Sequence, residues 1–530
     1  MRVVMNSPTP SRRALESARE QGQAMLLVLV SVALLISIPL AIVTTVSGQL
    51  PLTTNHLLWN DAYEAAQAGL SDYLQHLDAD SSYTRFTPSN PDSSNPAFTG
   101  WVTVASTNPT ESYEYAPTVL QGQYAGLVGL LVSGRAVAGN RKSIQTISFR
   151  IRPASSLNTL YWTNYETVDG RLLGDGSDDC AVFEGQNGGP PSKCIVQFAP
   201  GDVLDGPVFS NDGFYMCDNS GTAPTFENSI SSADAYADPN RWQEQCPGTN
   251  TTPVWPTSAP LGPSPLHAPN TPPQTTDASD LTAAQNYGCN ITNGSGSVTF
   301  TLNGSTLTWT GGTLSNANGN PNSTAACGGS TGGGTVTLSA LRAAVIYTSG
   351  NAIVSGPVTG ALTIVSGANI TIDGPITYPS ADKVEPSNGP WSDPSDAFGL
   401  IAQNSIQILH AGNNQQCSGS HPTNCDYASG IEVDAALLAL NQSFYVQNWS
   451  QGSPDGSLSV FGSIAQYHRG PVGTGNSGGV ASGYLKAYHY DSSLQTVWPP
   501  YFIPPQGAVW SPVAYSSYPS GPRNEAVPGT

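Results

Sequence analysis

Ile346-Tyr347-Thr348-Ser349-Gly350-Asn351-Ala352-Ile353-Val354-Ser355-Gly356-Pro357-Val358-Thr359 is followed, four residues later, by Ile364-Val365-Ser366-Gly367-Ala368-Asn369-Ile370-Thr371-Ile372-Asp373-Gly374-Pro375-Ile376-Thr377. The Ser-Gly pairs stand 17 residues apart and the Gly-Pro pairs 18. Short β-branched strands with Gly and Asn corners at that period predict a parallel β-helix, one rung per repeat. Asp205-Gly206-Pro207-Val208-Phe209-Ser210 reads as an earlier rung, and Phe398 to Leu409, Ile431 to Trp449 and Leu458 to Tyr467 as later ones. Only the two quoted repeats match closely, so a β-sandwich with similar turns is the competing reading.

Outward from this stretch the pattern changes. Residues 246–273 are rich in Pro, Thr and Ser, and 286–334 in Gly, Asn, Ser and Thr, as expected of loops or an insertion spanning 246–334. From about Phe86 to Pro153, Trp101-Val102-Thr103-Val104, Gly126 to Val132 and the alternating Ser143 to Arg152 predict a small antiparallel sheet. Before it, Leu58, Ala62, Ala65, Ala66, Gly69, Leu70, Tyr73, Leu74 and Leu77 form one stripe of helical period. The Pro-rich stretch 499–530 has no period and is expected to cap the last rung.

Ala24 to Val46 is a charge-free apolar run, and 23 residues at about 1.5 Å each reach about 34 Å, enough to cross a bilayer core. Ala24, Leu35, Pro39 and Val46 mark its start, middle, kink and end. Arg2, Arg12, Arg13 and Arg19 against Glu16 and Glu20 keep the leader in the cytoplasm by the positive-inside rule. A cleaved secretory signal normally has a shorter apolar stretch and a small-x-small site, so a retained span is favoured. The expected fold class is thus mainly β. A long N-terminal helix, transmembrane and then amphipathic, leads to a small antiparallel sheet and then a parallel β-helix. The boundaries are 1–22 leader, 23–80 helix, 81–155 sheet, 156–498 β-helix and 499–530 tail. The expected location is a single-pass membrane protein with a cytoplasmic N-terminus and its bulk at the cell surface.

With a net charge of -19 and a leader at +2, the rest of the chain carries -21. That acidity disfavours nucleic acid, because no basic stripe is present to displace counterions. All eight cysteines (Cys180, Cys194, Cys217, Cys246, Cys289, Cys327, Cys417, Cys425) follow the apolar run, and an even number on the oxidising side reads as disulfides. Pairing sequence neighbours is the simplest scheme. Reduced, buried cysteines are the alternative.

No Walker loop, His-Glu-x-x-His or Gly-x-Ser-x-Gly is present, and no catalytic residue, cofactor or metal is expected. Asp178-Asp179 reads as a solvated turn, since adjacent strand residues point to opposite faces. His468-Arg469 and His489, near Tyr467, Tyr484, Tyr488 and Tyr490, could bind sugar but are read as structural. Asp72, Asp78 and Asp80 beside Glu64 are read as a charged helix face.

The segment Arg19 to Leu77, with Gly22-Gln23-Ala24-Met25-Leu26-Leu27-Val28 and Glu64-Ala65-Ala66-Gln67-Ala68-Gly69-Leu70, resembles the N-terminal region of PilX-type minor pilins of type IV pilus and type II secretion machinery. The resemblance implies recognition of Gly22 by prepilin peptidase, Gln23 as the new N-terminus, and other pilin subunits as partners. Leu27 stands where major pilins carry glutamate, which points away from a major, polymer-forming subunit. The function expected is a non-enzymatic surface protein, a minor pilin or pseudopilin-like component presenting its β-helix for assembly or surface contact. The alternatives are a membrane-anchored β-helix that binds or cleaves surface polysaccharide, and a purely structural envelope protein.

Overall fold

The computed structural model describes residues 56–519 apart from 106–108, 120–126, 154, 175–177, 184–188, 217–223, 234–278, 295, 317–318, 330, 380–395, 477–478, 496 and 503–509. Helix α1 (56–79) buries Leu58, Ala62, Ala65, Ala66, Leu70, Tyr73 and Leu77. Those residues lie against an antiparallel sheet ordered β1 (Val102–Ala105), β2 (Thr110–Val119), β3 (Val128–Ala138), β4 (Arg141–Pro153) and β25 (Trp510–Pro519). Small residues let helix and sheet approach closely. A methyl group added at Gly134 of β3 would stand 2.0 Å from the Ala62 carbonyl oxygen and 2.3 Å from the Ala66 nitrogen. Tyr73, Tyr83, Phe98 and Tyr115 close one end of this core, Tyr115 meeting Tyr73 and Phe98 edge to face and Tyr83 tilted against Tyr73.

The fifth strand comes from the far end of the chain. Strand β25 runs antiparallel to β4 from Trp510 opposite Pro153 to Pro519 opposite Gln145. Its first N–H donates to Asp78 Oδ1 of α1 at 2.7 Å. The described residues from Ser155 to Phe502 are therefore carried as one insertion between β4 and β25. The expectation that 499–530 caps a rung is corrected for 510–519, which complete the helix-bearing sheet.

The inserted body is a twenty-stranded sheet whose ladders are mostly parallel. Its first coil holds β10 (Cys289–Thr292) and β11 (Ser297–Asn303), extended by the antiparallel β12 (Thr306–Leu314) and β13 (Thr331–Thr337). Next come β14 (Val345–Thr348) with β15 (Asn351–Pro357), β16 (Ala361–Ser366) with β17 (Ile370–Thr377), and β18 (Ala397–Ala402) with β19 (Ile406–Ile408). Then follow β20 (Ile431–Ala439) with β21 (Phe444–Val446), β22 (Pro454–His468), and β23 (Gly473–Asn476) folded back on β24 (Gly479–Tyr490).

The strands that should begin the body finish it. Strand β5 (Tyr161–Tyr165) stacks on β22, and β6 (Val203–Asp205) on β24. Outside them lie β7 (Val208–Ser210), β8 (Thr225–Phe226) and β9 (Ile230–Ser232). One buried column runs through both parts: Cys289, Ile346, Ile364, Leu400, Leu437, Ile464, Tyr161, Val208 and Ile230. Stacking like on like places each apolar side chain over another and keeps water out along the whole axis.

The two quoted repeats pair 18 residues apart, Val345 with Thr363 and Ala352 with Ile370. Their Gly-Pro corners fall out of step, because a register shift puts Gly356 opposite Ile376. The free end of the first coil is covered by β12, β13, the helix α2 (Ser279–Tyr287) and the Cys289–Cys327 disulfide. Covering an open ladder in this way blocks edge-to-edge pairing.

The expected fold class is corrected by these findings. The chain is not a long helix followed in order by a sheet and a row of rungs. The sheet is completed from the C-terminal end, and the coils stack in permuted order. Among the described residues no helix is long and apolar enough to cross a membrane, which also corrects the expected single-pass topology. The run 24–46, with Ala24, Leu35, Pro39 and Val46, and the pair Gly22 and Gln23, lie outside the described residues.

Candidate functional site

The loop joining β19 to β20 gathers several charged and polar side chains against the body. It is closed by the Cys417–Cys425 disulfide and organised around Asp426. Asp426 Oδ1 accepts the N–H groups of Ala411 (2.7 Å) and Gly412 (2.8 Å), and Oδ2 those of Asn413 (2.9 Å) and Asn414 (2.5 Å). Four converging backbone donors hold one carboxylate, so the loop wraps around its own anion.

The loop tip reaches back over earlier coils. His421 Nδ1 lies 2.8 Å from Asp373 Oδ2 of β17 and 3.4 Å from Ser355 Oγ of β15, and Nε2 lies 2.6 Å from Thr301 Oγ1 of β11. Thr301 and Ser355 are register partners, so one imidazole spans three successive coils. His421 adopts φ of 51°, in the left-handed region where asparagine, aspartate and histidine are enriched among non-glycine residues. Tyr427 donates its hydroxyl to the Asp373 carbonyl at 2.7 Å, and burial, with the Asp373 charge adding, pushes its phenol up to about 12. Together these contacts tie the tip of the disulfide loop to the sheet.

Under the base of the same loop lies a wholly buried trio. His410 Nε2 is 2.7 Å from Asp455 Oδ2 and 3.7 Å from Asp426 Oδ1, and His410 is 0% exposed. Its Nδ1 lies 2.7 Å from the Gln447 carbonyl oxygen, which only accepts, so Nδ1 carries the proton. Burial raises the Asp455 carboxyl above its ordinary range; the His410 charge opposes that and the Asp426 charge adds to it. These three residues present one nitrogen and two oxygens within 4.8 Å of one another. No sequence motif announced this region. Its only signal is that two of the seven histidines, His410 and His421, lie just before and within a closely spaced cysteine pair, Cys417 and Cys425.

The residues singled out from sequence occupy other places. His468, Arg469, Tyr484, Tyr488 and Tyr490 are buried, mostly along the join between β22–β24 and β5–β6. Arg469 Nη1 donates to Glu166 Oε2 at 2.9 Å, with its guanidinium 3.5 Å above the Phe198 ring. Lys486 Nζ donates to Asp202 Oδ2 at 2.7 Å. Burial raises the Glu166 carboxyl against the pull of Arg469, and burial lowers the Lys486 ammonium against that of Asp202. His489 stays exposed, 3.5 Å from Asp205.

Asp178 meets buried His468 at 3.0 Å, and Asp179 pairs with Lys193 at 2.8 Å. On α1, Asp72 accepts from the Tyr115 hydroxyl, Asp78 from the Trp510 N–H, and Asp80 faces Arg85. Cys180–Cys194 and Cys289–Cys327 are bonded like Cys417–Cys425, while Cys217 and Cys246 lie outside the described residues.

No family model matches the chain, and no curated protein matches it. Among solved structures it has a slight likeness to the competence-associated pilin ComZ from Thermus thermophilus. The two are 12% identical with a TM-score of 0.32, over 87% of this chain and 97% of that one. A likeness of that size carries no argument about fold or function.

Proposed function

We propose that the chain is a non-enzymatic, pilin-like surface subunit of a type IV pilus or type II secretion-type assembly, with the coiled body displayed for assembly or surface contact. The observation that carries this reading is the insertion. The segment that continues from the prepilin-like leader, α1, packs on a sheet closed by β25, so the whole body hangs from one small helix-and-sheet carrier. Three disulfides in the body support folding in an oxidising compartment. The side chains that would have served a sugar-cleaving groove, Asp178, Asp179, His468 and Arg469, are engaged in structural ion pairs. On this reading Gly22 is the last residue of the removed leader and Gln23 the first of the mature subunit. Mass spectrometry of the mature N-terminus, on protein sheared from the cell surface, tests it. A start at Gln23 is expected. A chain retaining Arg19 to Gly22, or one cut elsewhere, withdraws the pilin reading.

A further inference from the structure

The trio beneath the disulfide loop has an electrostatic problem that its protein partners leave unsolved. His410, Asp426 and Asp455 come from the ends of successive coils, and each is at least 98% buried. Asp426 is satisfied by its four backbone donors. The other two are not. Although His410 Nε2 and Asp455 Oδ2 approach to 2.7 Å, neither atom has a hydrogen bond of good geometry.

His410 is held at Nδ1 by the Gln447 carbonyl, which leaves Nε2 beside two carboxyl groups with no well-aligned hydrogen bond to either. Buried polar groups are tolerated when they are well hydrogen-bonded, and Nε2 and Asp455 Oδ2 are not.

We propose that His410 Nε2, Asp426 Oδ1 and Asp455 Oδ2 bind a first-row divalent transition-metal ion, Zn²⁺ foremost. One imidazole nitrogen and two carboxylate oxygens suit Zn²⁺, whereas Ca²⁺ seeks six to eight oxygens. The Nδ1–H held on a backbone carbonyl is the support that orients a metal-bound histidine and fixes its tautomer. The buried Tyr484 hydroxyl lies in the field of Asp455 and Asp426, and its ring meets the His410 ring edge-on, with centroids 5.9 Å apart. Two ligands on a tetrahedral ion with bonds of about 2.0 Å stand about 3.3 Å apart. The 3.7 Å pair already spans that distance, and the 2.7 Å pair opens by a small swing of the Asp455 carboxylate. The ion ties the loop base to the coil that starts at Pro454. This site does not rest on the pilin reading.

The test uses the full chain, stripped with chelator and titrated with Zn²⁺ by calorimetry, and separately with Co²⁺ followed by visible absorption. One equivalent is expected, with a d–d spectrum of low-coordinate Co²⁺. Losing a mere outer-shell partner typically costs 10–100-fold, so His410→Gln and Asp455→Asn each weaken binding by at least ~100-fold. His489→Gln, at the exposed pair with Asp205, leaves it unchanged. The Co²⁺ spectrum of the unaltered chain decides the matter even if a variant fails to fold. No uptake by the unaltered chain, or equal uptake by the His410→Gln/Asp455→Asn double variant, overturns the proposal.

Discussion

Arg469 and Glu166 stand 303 positions apart, yet both are nearly sealed from water at the join between the two parts of the body. A buried pair is weak evidence of net stability, because desolvation offsets most of its attraction. Removing one member is costly, because it strands the other. Arg469→Met should therefore destabilise the body by about 3–5 kcal/mol in denaturant unfolding. Adding Glu166→Gln should restore a large part of the loss. A single variant within 1 kcal/mol of the parent would show that the pair is not holding the join.

Asp178 contributes to the pH dependence. Burial alone would raise its carboxyl, but the hydrogen bond and charge of His468, with Arg171, hold it below the usual 3.8. The stabilisation is thus fully present above that value and is lost as acid takes the pH through the lower folded value. Asp178→Asn should remove that part of the acid transition. A thermal-unfolding series below pH 5 checks it, and superimposable curves would reject the assignment.

At the scale of elements, α1 is held by a close backbone approach as well as by large side chains. Gly134 allows it, and any side chain there meets α1 backbone, which cannot rotate away. Gly134→Val should lift the helix and cost about 1–3 kcal/mol, the range for overpacking a core. Amide exchange should rise along 56–79 while the body strands keep their protection. Unchanged exchange in α1 would mean that helix and sheet are not in the contact described.

The same element logic explains the loop between β19 and β20. Its conformation is set by Asp426 from within, by the disulfide across its neck and by His421 at its tip. None of these is a propensity readable from a short window.

For the whole molecule, the decisive connection is β25. Ending the chain before Trp510 exposes the β4 edge and strips the cap from Asp78, while the coiled body retains all its ladders. Such a truncation should melt in two steps, the carrier first, and should self-associate through the bare edge by light scattering. A single transition at the parental temperature would mean that β25 does not complete the sheet.

The permuted stacking has a similar global meaning. The last coils of the body stack on the edges that β22 and β24 offer to β5 and β6.

Local pattern made several features legible. The helical stripe from Leu58 to Leu77 is the buried face of α1, and the 18-residue step between Val345 and Thr363 is a real stacking register. Both depend on side-chain periods of a few residues, which a sequence displays directly. The buried trio, the Arg469–Glu166 pair and the His421 clamp were not legible. Their members come from different coils, and nothing local marks a polar residue as destined for the interior. The sequence by itself determined the helix from Leu58 to Leu77 and the strands and corners of 346–377, because those segments carry their own apolar period, whereas the loop expected over 286–334 is corrected to the strands β10 to β13. Only the tertiary structure decided that residues 161–232 stack after 454–490 and that 510–519 return to the first sheet. Pairing energy depends on which ladder edges are free and which apolar columns can be continued, and those are properties of the assembled coils.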